Sequence, residues 1–158
     1  MPFAYRLCNA AWAPSTPDRA RNIAGSRAAL YGSHWNSRGV HTIYTSSSIA
    51  LAILEILVQD TPVLPDGYQC WKVFLPDAQL AEVRLEDLPA NWRTRPYPPK
   101  IQRLGDLWLK TSAATAVPSA VVRQERNYIL NPRHPDYFAD RWEQIADFEF
   151  YSRLPWQK

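Results

Sequence analysis

Ten consecutive residues, Ile49 to Val58, are apolar except for a single glutamate, Glu55. Three serines, Ser46 to Ser48, precede the run and offer side-chain oxygens to the first unpaired amides of a helix. Asp60-Thr61-Pro62 follows it, and a proline neither continues a helix nor lets the residue before it do so easily. Ser48–Gln59 is therefore predicted as the main helix, and its nearly all-round apolar character predicts that it is buried. Positions 48, 52, 55 and 59 follow helical spacing and read Ser48, Ala52, Glu55 and Gln59, a stripe of small and polar residues. A carboxylate left unpaired two turns into such a helix is strongly destabilising. Glu55 thus needs a buried cation, strong donors, water at the helix edge, or a cleft that takes a ligand. The stripe beside it is how a cleft is often lined, and an ion pair or an outward-pointing carboxylate is the plainer alternative.

At 158 residues, 46% hydrophobic and 21% charged, the chain has the length and composition of one globular domain, expected over residues 1–158. Most of the remainder reads as short strands. Phe3 to Cys8, Thr42 to Thr45, Tyr68 to Leu75, Glu82 to Glu86, Ala120 to Arg123, Tyr128 to Leu130 and Phe148 to Tyr151 are the candidates. Pro17 to Leu30 is expected to be helical in part, Gly105 to Ala114 forms another helix, and Pro135 to Ala146 holds a short helical turn. Fourteen prolines punctuate the chain, and their densest stretch, Pro89 to Pro99, is expected to be a long loop inside the domain. Short strands with a few helices between them make an α+β fold with a mixed or mainly antiparallel sheet.

A net charge of +3 is mild. Its loosest basic cluster, Arg93, Arg95, Lys100, Arg103 and Lys110, is either a solvated face or a loop that meets phosphate or an acidic partner, and dedicated nucleic-acid binding is not indicated. Cys8 and Cys70 form no CxxC and read as small core residues of a cytosolic protein. His34, His41 and His134 lack metal-ligand spacing, so no metal is expected. No apolar run reaches the roughly 18 residues of a membrane span, and the first residues lack a signal-peptide pattern, so a cytoplasmic location is expected.

Ahead of the helix, Tyr31 to Gly39 is a polar, aromatic loop that feeds a strand carrying Tyr44, a residue equally suited to a core or to a cleft wall. These segments carry a resemblance. Gly32-Ser33-His34-Trp35-Asn36-Ser37-Arg38-Gly39, Ile43-Tyr44-Thr45-Ser46 and Ala50-Leu51-Ala52-Ile53-Leu54-Glu55 resemble the core of the RES-domain family. So do Tyr5-Arg6-Leu7, Gly105-Asp106-Leu107-Trp108-Leu109, Val117-Pro118-Ser119-Ala120-Val121-Val122 and Asn127 to Pro135, in matching order from about residue 4 to 154. The resemblance implies an ADP-ribosyltransferase-like fold and an NAD+-consuming toxin of a bacterial type II toxin–antitoxin pair. It also implies an oligomeric complex with a helix-turn-helix antitoxin of the Xre type, in the bacterial cytoplasm. By position, Arg6, Tyr44, Glu55 and Ser119 match the family's arginine, tyrosine, glutamate and serine. His34 stands where many members have arginine, and Arg38 is a candidate source of the missing charge.

What the resemblance implies can be matched to residue chemistry. The nicotinamide–ribose bond breaks through an oxocarbenium-like state, which a fixed carboxylate stabilises more than the ground state. Glu55 is expected in that role, with Arg6 on the pyrophosphate, Tyr44 against the cationic ring, His34 or Arg38 on phosphate or ribose, and Ser119 on the ribose or on Glu55. No Gly-rich dinucleotide fingerprint is present, which favours consumption of NAD+ over its use in redox chemistry. The acceptor stays open between water, inorganic phosphate and a protein side chain. Rival readings are a protein ADP-ribosyltransferase toxin and a non-catalytic binding module.

Overall fold

The computed structural model describes residues 2–59 and 66–154. Its strands are β1 (Phe3–Asn9), β2 (Ile43–Ser46), β3 (Tyr68–Phe74), β4 (Leu80–Glu82), β5 (Ala114–Pro118), β6 (Arg126–Leu130) and β7 (Trp142–Phe148). They hydrogen-bond in the order β4-β5-β6-β2-β1-β3-β7. Every pairing is antiparallel except β4 with β5, so the sheet is mixed, as the α+β reading expects. Four helices flank it: α1 (Pro17–Asn22), α2 (Ser26–Tyr31), α3 (Ile49–Leu57) and α4 (Pro99–Thr111).

Side chains alternate between the two faces of a strand, and each face of this sheet has its own cover. On one face Ala4, Ile43, Val73, Ala114, Tyr128 and Leu130 pack with Ala20, Ala24 and the segment Tyr137 to Ala139. On the other, Val117 and Ile129 pack against Ile101 and Leu109 of α4, while Leu7 and Cys70 pack against Ala52 and Ile53 of α3. The two cysteines are buried and unbridged.

The sheet has one weak seam. β1 runs alongside β3 from Phe3↔Phe74 to Asn9↔Tyr68, yet it meets β2 in register only at Tyr5↔Ser46. Beyond that point the strands part, and the Arg6 side chain spans the gap, donating from Nη1 to the Tyr44 carbonyl at 3.2 Å and from Nη2 to the Ala24 carbonyl at 3.1 Å.

Several sequence expectations shift. The main helix is Ile49–Leu57, with Ser48 as its cap: Ser48 Oγ accepts from Leu51 N at 3.0 Å. It is not buried all round, because it lies against the sheet on one side and exposes Leu54 (39%) and Val58 (47%) on the other. The proposed stop, Asp60-Thr61-Pro62, lies outside the described residues. Helix α4 starts at Pro99 rather than Gly105, since proline suits a first helical position, where no amide is needed. Pro17 to Leu30 divides into α1 and α2. The strand expected at Glu82–Glu86 is instead Leu80–Glu82, an edge strand followed by a 3-10 turn at Leu85–Asp87.

Ala120–Arg123 is a turn, and the strand precedes it: Ser119 Oγ accepts from the amides of Val121 and Val122, both at 3.1 Å, which removes the donors a strand would use. The last strand is Trp142–Phe148 rather than Phe148–Tyr151; it takes the end of the segment Pro135–Ala146, whose earlier part forms isolated turns, with Tyr137 N on the His134 carbonyl and Arg141 N on the Phe138 carbonyl, rather than a helix. It pairs with β3 as an edge and most of its side chains are exposed, so it carries no apolar signal.

Candidate active site

Where β1 and β2 part, the surface sinks into a cleft of about 750 Å3, lined by Tyr5 to Asn9, by Thr42, Tyr44, Thr45 and Ser46, by Ala52, Glu55 and Ile56 of α3, and by Gln59 just after it. The stripe predicted on the helix thus faces the cleft from Ala52 to Gln59. Its volume lies within the range of about 300–1,000 Å3 common for ligand sites.

Glu55 enters half-buried and is held through one oxygen. Ser119 Oγ donates to Oε1 at 2.7 Å, and Asn127 Nδ2 donates to the same atom at 2.7 Å. Oε2 has no hydrogen-bond partner among the described residues. Strong donors, rather than a buried cation, therefore compensate the carboxylate, and one of its oxygens keeps its acceptor capacity for a ligand. Ser119 is 0% exposed. Its single proton goes to Glu55 and its two lone pairs take the amides of Val121 and Val122, so its hydrogen bonds are full. Of the two roles expected for it, only orienting Glu55 fits this geometry.

Arg6 lies in the cleft wall with two donors on backbone carbonyls, a buried Nε without a partner, and no carboxylate within ion-pair distance among the described residues. Its positive charge stays uncompensated beside the cleft. Tyr44 is tied at its hydroxyl, which donates to Asn36 Oδ1 at 2.6 Å and accepts from Trp35 N at 3.0 Å. Burial pushes the phenol well above its ordinary range, so it stays protonated and holds the Ser33–Asn36 loop in place.

His34 sits 8% exposed in an aromatic stack, its ring centroid 4.3 Å from Trp35 and 4.5 Å from Tyr97. Its Nε2 lies 2.6 Å from the Trp92 carbonyl, which requires Nε2 to be the donor. Burial holds the imidazole below its usual value; the bond to Trp92 opposes this, and the charge of Arg95 adds to it. A neutral ring that donates from Nε2 presents only an acceptor at Nδ1, so His34 supplies no charge in place of an arginine. Arg38, the other candidate source of charge, is exposed at the surface and is not among the cleft-lining residues.

Four contributors were not named among the site residues from the sequence. Arg27, Arg93 and Arg95 line the cleft with Arg6, against Glu55 as the sole acidic group in the described lining. Arg93 and Arg95 belong to the basic, proline-rich segment noted from the sequence, while Lys100, Arg103 and Lys110 of the same cluster are not among the lining residues. Asn127 is the fourth. Asparagine is disfavoured in strands, and one inside a β-rich run was the available signal. Among the described residues no group of three or more His, Cys, Asp or Glu is placed to hold a metal ion, and no helix is long and apolar enough to cross a membrane.

The family model described as the RES domain matches residues 3–152 of the chain. A protein named Toxin Res from Yersinia enterocolitica is 36% identical over 122 residues, covering 75% of this chain and 80% of that protein. A second Toxin Res, from Photorhabdus laumondii, is 32% identical over 83% of this chain and 86% of its own length. The Prs ADP-ribosylating toxin of a Sphingobium species is 33% identical over 85% of this chain and 88% of its own length.

Proposed function

Because the chain belongs to the RES-domain family of toxins, we propose that it breaks the nicotinamide–ribose bond of NAD+, with water or inorganic phosphate taking the ADP-ribosyl group. One observation carries this reading: a carboxylate oxygen without a partner among the described residues, fixed by its twin, in a cleft whose other charged lining residues are arginines.

As the C1′–N bond breaks, nicotinamide leaves neutral with the bonding electrons and positive charge spreads over C1′ and the ring oxygen of the ribose. Glu55 Oε2 offers negative charge to that state, and its gain in interaction from substrate to transition state is the catalytic contribution. Arg6 and the other lining arginines suit the two phosphates, and the aromatic side chains of the lining suit the nicotinamide and the adenine. Attack by water on C1′ gives ADP-ribose and one proton; attack by phosphate gives ADP-ribose 1″-phosphate. The second reading, transfer to a protein side chain, is favoured by the likeness to the Sphingobium protein named an ADP-ribosylating toxin. A neutralising Xre-type antitoxin, in an oligomeric cytoplasmic complex, is part of the same proposal.

The test incubates purified chain with NAD+, with and without phosphate, and follows free nicotinamide by chromatography, with labelled NAD+ and lysate protein as a parallel arm. Nicotinamide release without label on protein supports cleavage, and label on protein supports transfer. Glu55→Gln, which keeps the shape and both donors but removes the charge, is expected to lower release by about 100- to 1,000-fold, the usual loss when a transition-state charge partner is removed. No release from the wild-type chain under any condition refutes the reading.

A further inference from the structure

The carboxylate of Glu55 is oriented by a relay that extends beyond Ser119. Asn127 Nδ2 donates to Glu55 Oε1 at 2.7 Å, and the Asn127 carbonyl oxygen accepts from Ser46 Oγ at 2.9 Å. Ser46 is buried and lies at the one register pair, Tyr5↔Ser46, where β1 still meets β2. An amide presents its donor and acceptor on opposite sides; a carboxylate oxygen only accepts, so Glu55 Oε1 takes the Nδ2 side of Asn127 and leaves Oδ1 to receive the Ser46 proton. Were the amide to flip, its oxygen would meet Glu55 Oε1, acceptor against acceptor. The relay therefore couples the seam between the strands to the carboxylate on α3.

We propose that Asn127 and Ser46 are positioning residues for Glu55: Asn127, backed by the Ser46 hydroxyl on its Oδ1, saturates Oε1 together with Ser119 and so fixes Oε2 towards the cleft. This rests on the NAD+-cleaving reading. Both Asn127 and Ser46 lie in the cleft wall, but their polar atoms are directed at each other and at Glu55, so their effect on the reaction passes through that carboxylate.

Asn127→Asp is the sharpest test, because it keeps the shape and replaces the donor with a second carboxylate. Two carboxylates at this distance cannot both ionise, and they share one proton as long as the pH allows it. With that proton on Asp, the hydrogen bond to Glu55 Oε1 is restored; without it, the two repel. Nicotinamide release is expected to fall about 10- to 100-fold at neutral pH, the loss of one charge-assisted hydrogen bond, and to recover as pH is lowered. The wild-type profile measured in parallel removes the contribution of His34, the one histidine in the cleft lining. A structural defect would lower release equally at every pH.

Ser46→Ala is the second arm and should cut kcat about 10-fold with little change in KM, since it removes the donor that anchors Asn127 Oδ1 without touching Glu55. Its thermal unfolding, followed by circular dichroism, should still show one cooperative transition. A wild-type chain that cleaves NAD+ beside an Asn127→Asp variant with unchanged rate, or with a pH-independent loss, overturns the positioning role. So does full kcat in Ser46→Ala. An inactive wild-type chain refutes the NAD+ reading instead, which separates the two failures.

Discussion

Replacing Gly105 with alanine should destabilise this protein, although a helix-interior glycine normally argues the opposite. Gly105 lies in the middle of α4, where alanine is favoured over glycine by about 1 kcal/mol through the entropy of the unfolded chain. Here a Cβ would stand 1.7 Å from the Trp35 carbonyl oxygen and 2.6 Å from its carbon, both backbone atoms. An ordinary carbon–oxygen contact is about 3.3 Å, so helix and loop would have to separate by roughly 1.5 Å.

The helix resists that separation, because Gln102 Nε2 donates to the Ser33 carbonyl at 2.8 Å and Asp106 accepts from Ser37 N at 2.9 Å, one on each side of the glycine. Overpacking of this kind costs up to about 3 kcal/mol, and recovering about 1 from helix propensity leaves a net loss near 2 kcal/mol. For a chain of this size that lowers the melting temperature by about 4–8 °C. Urea unfolding of wild type and Gly105→Ala, compared by midpoint at constant slope, measures it. A variant as stable as wild type, or more so, would show that α4 and the Ser33–Ser37 loop do not meet as described.

Two further outcomes follow from the site. His34 is neutral in the folded chain below the pH at which it protonates when unfolded, so stability should be flat above about pH 6.5 and fall as pH drops below it, until the folded-state value is reached. His41, lowered by burial and then by Arg133, adds a change of the same sign, so His34→Gln, which can keep a donor for the Trp92 carbonyl, isolates the His34 part as a shallower acid decline in thermal melts at pH 5.5 to 7.5. An unchanged decline would remove His34 from the account. Arg38→Ala should leave the rate of nicotinamide release within about twofold of wild type, as befits an exposed residue away from the cleft, whereas Arg6→Lys, which loses the fork that spans the seam, should reduce it.

The sequence by itself determined the elements whose burial is local and periodic. Strands β1, β2, β3 and β6 and the helix α3 are each legible from alternation or from an apolar run with a serine cap, and Glu55 stands out because a lone charge in such a run demands an explanation. The sequence also put Arg6, Tyr44, Glu55 and Ser119 on one list, through resemblance. Tertiary structure decided whatever depends on partners distant in the chain. It made Trp142–Phe148 a strand because β3 had an open edge, and it turned Ala120–Arg123 away from the sheet because Ser119 captured two amides.

It also sorted the arginines, seating Arg27, Arg93 and Arg95 around the cleft and leaving Arg38 at the surface. Asn127 and Ser46, 81 residues apart, became one relay only when β2 and β6 paired at Ser46↔Asn127. The physical reason is the same in each case. Hydrophobic periodicity is written along a strand or helix one residue after another, but a hydrogen bond between side chains exists only after folding has brought its two ends within 3 Å or so of each other.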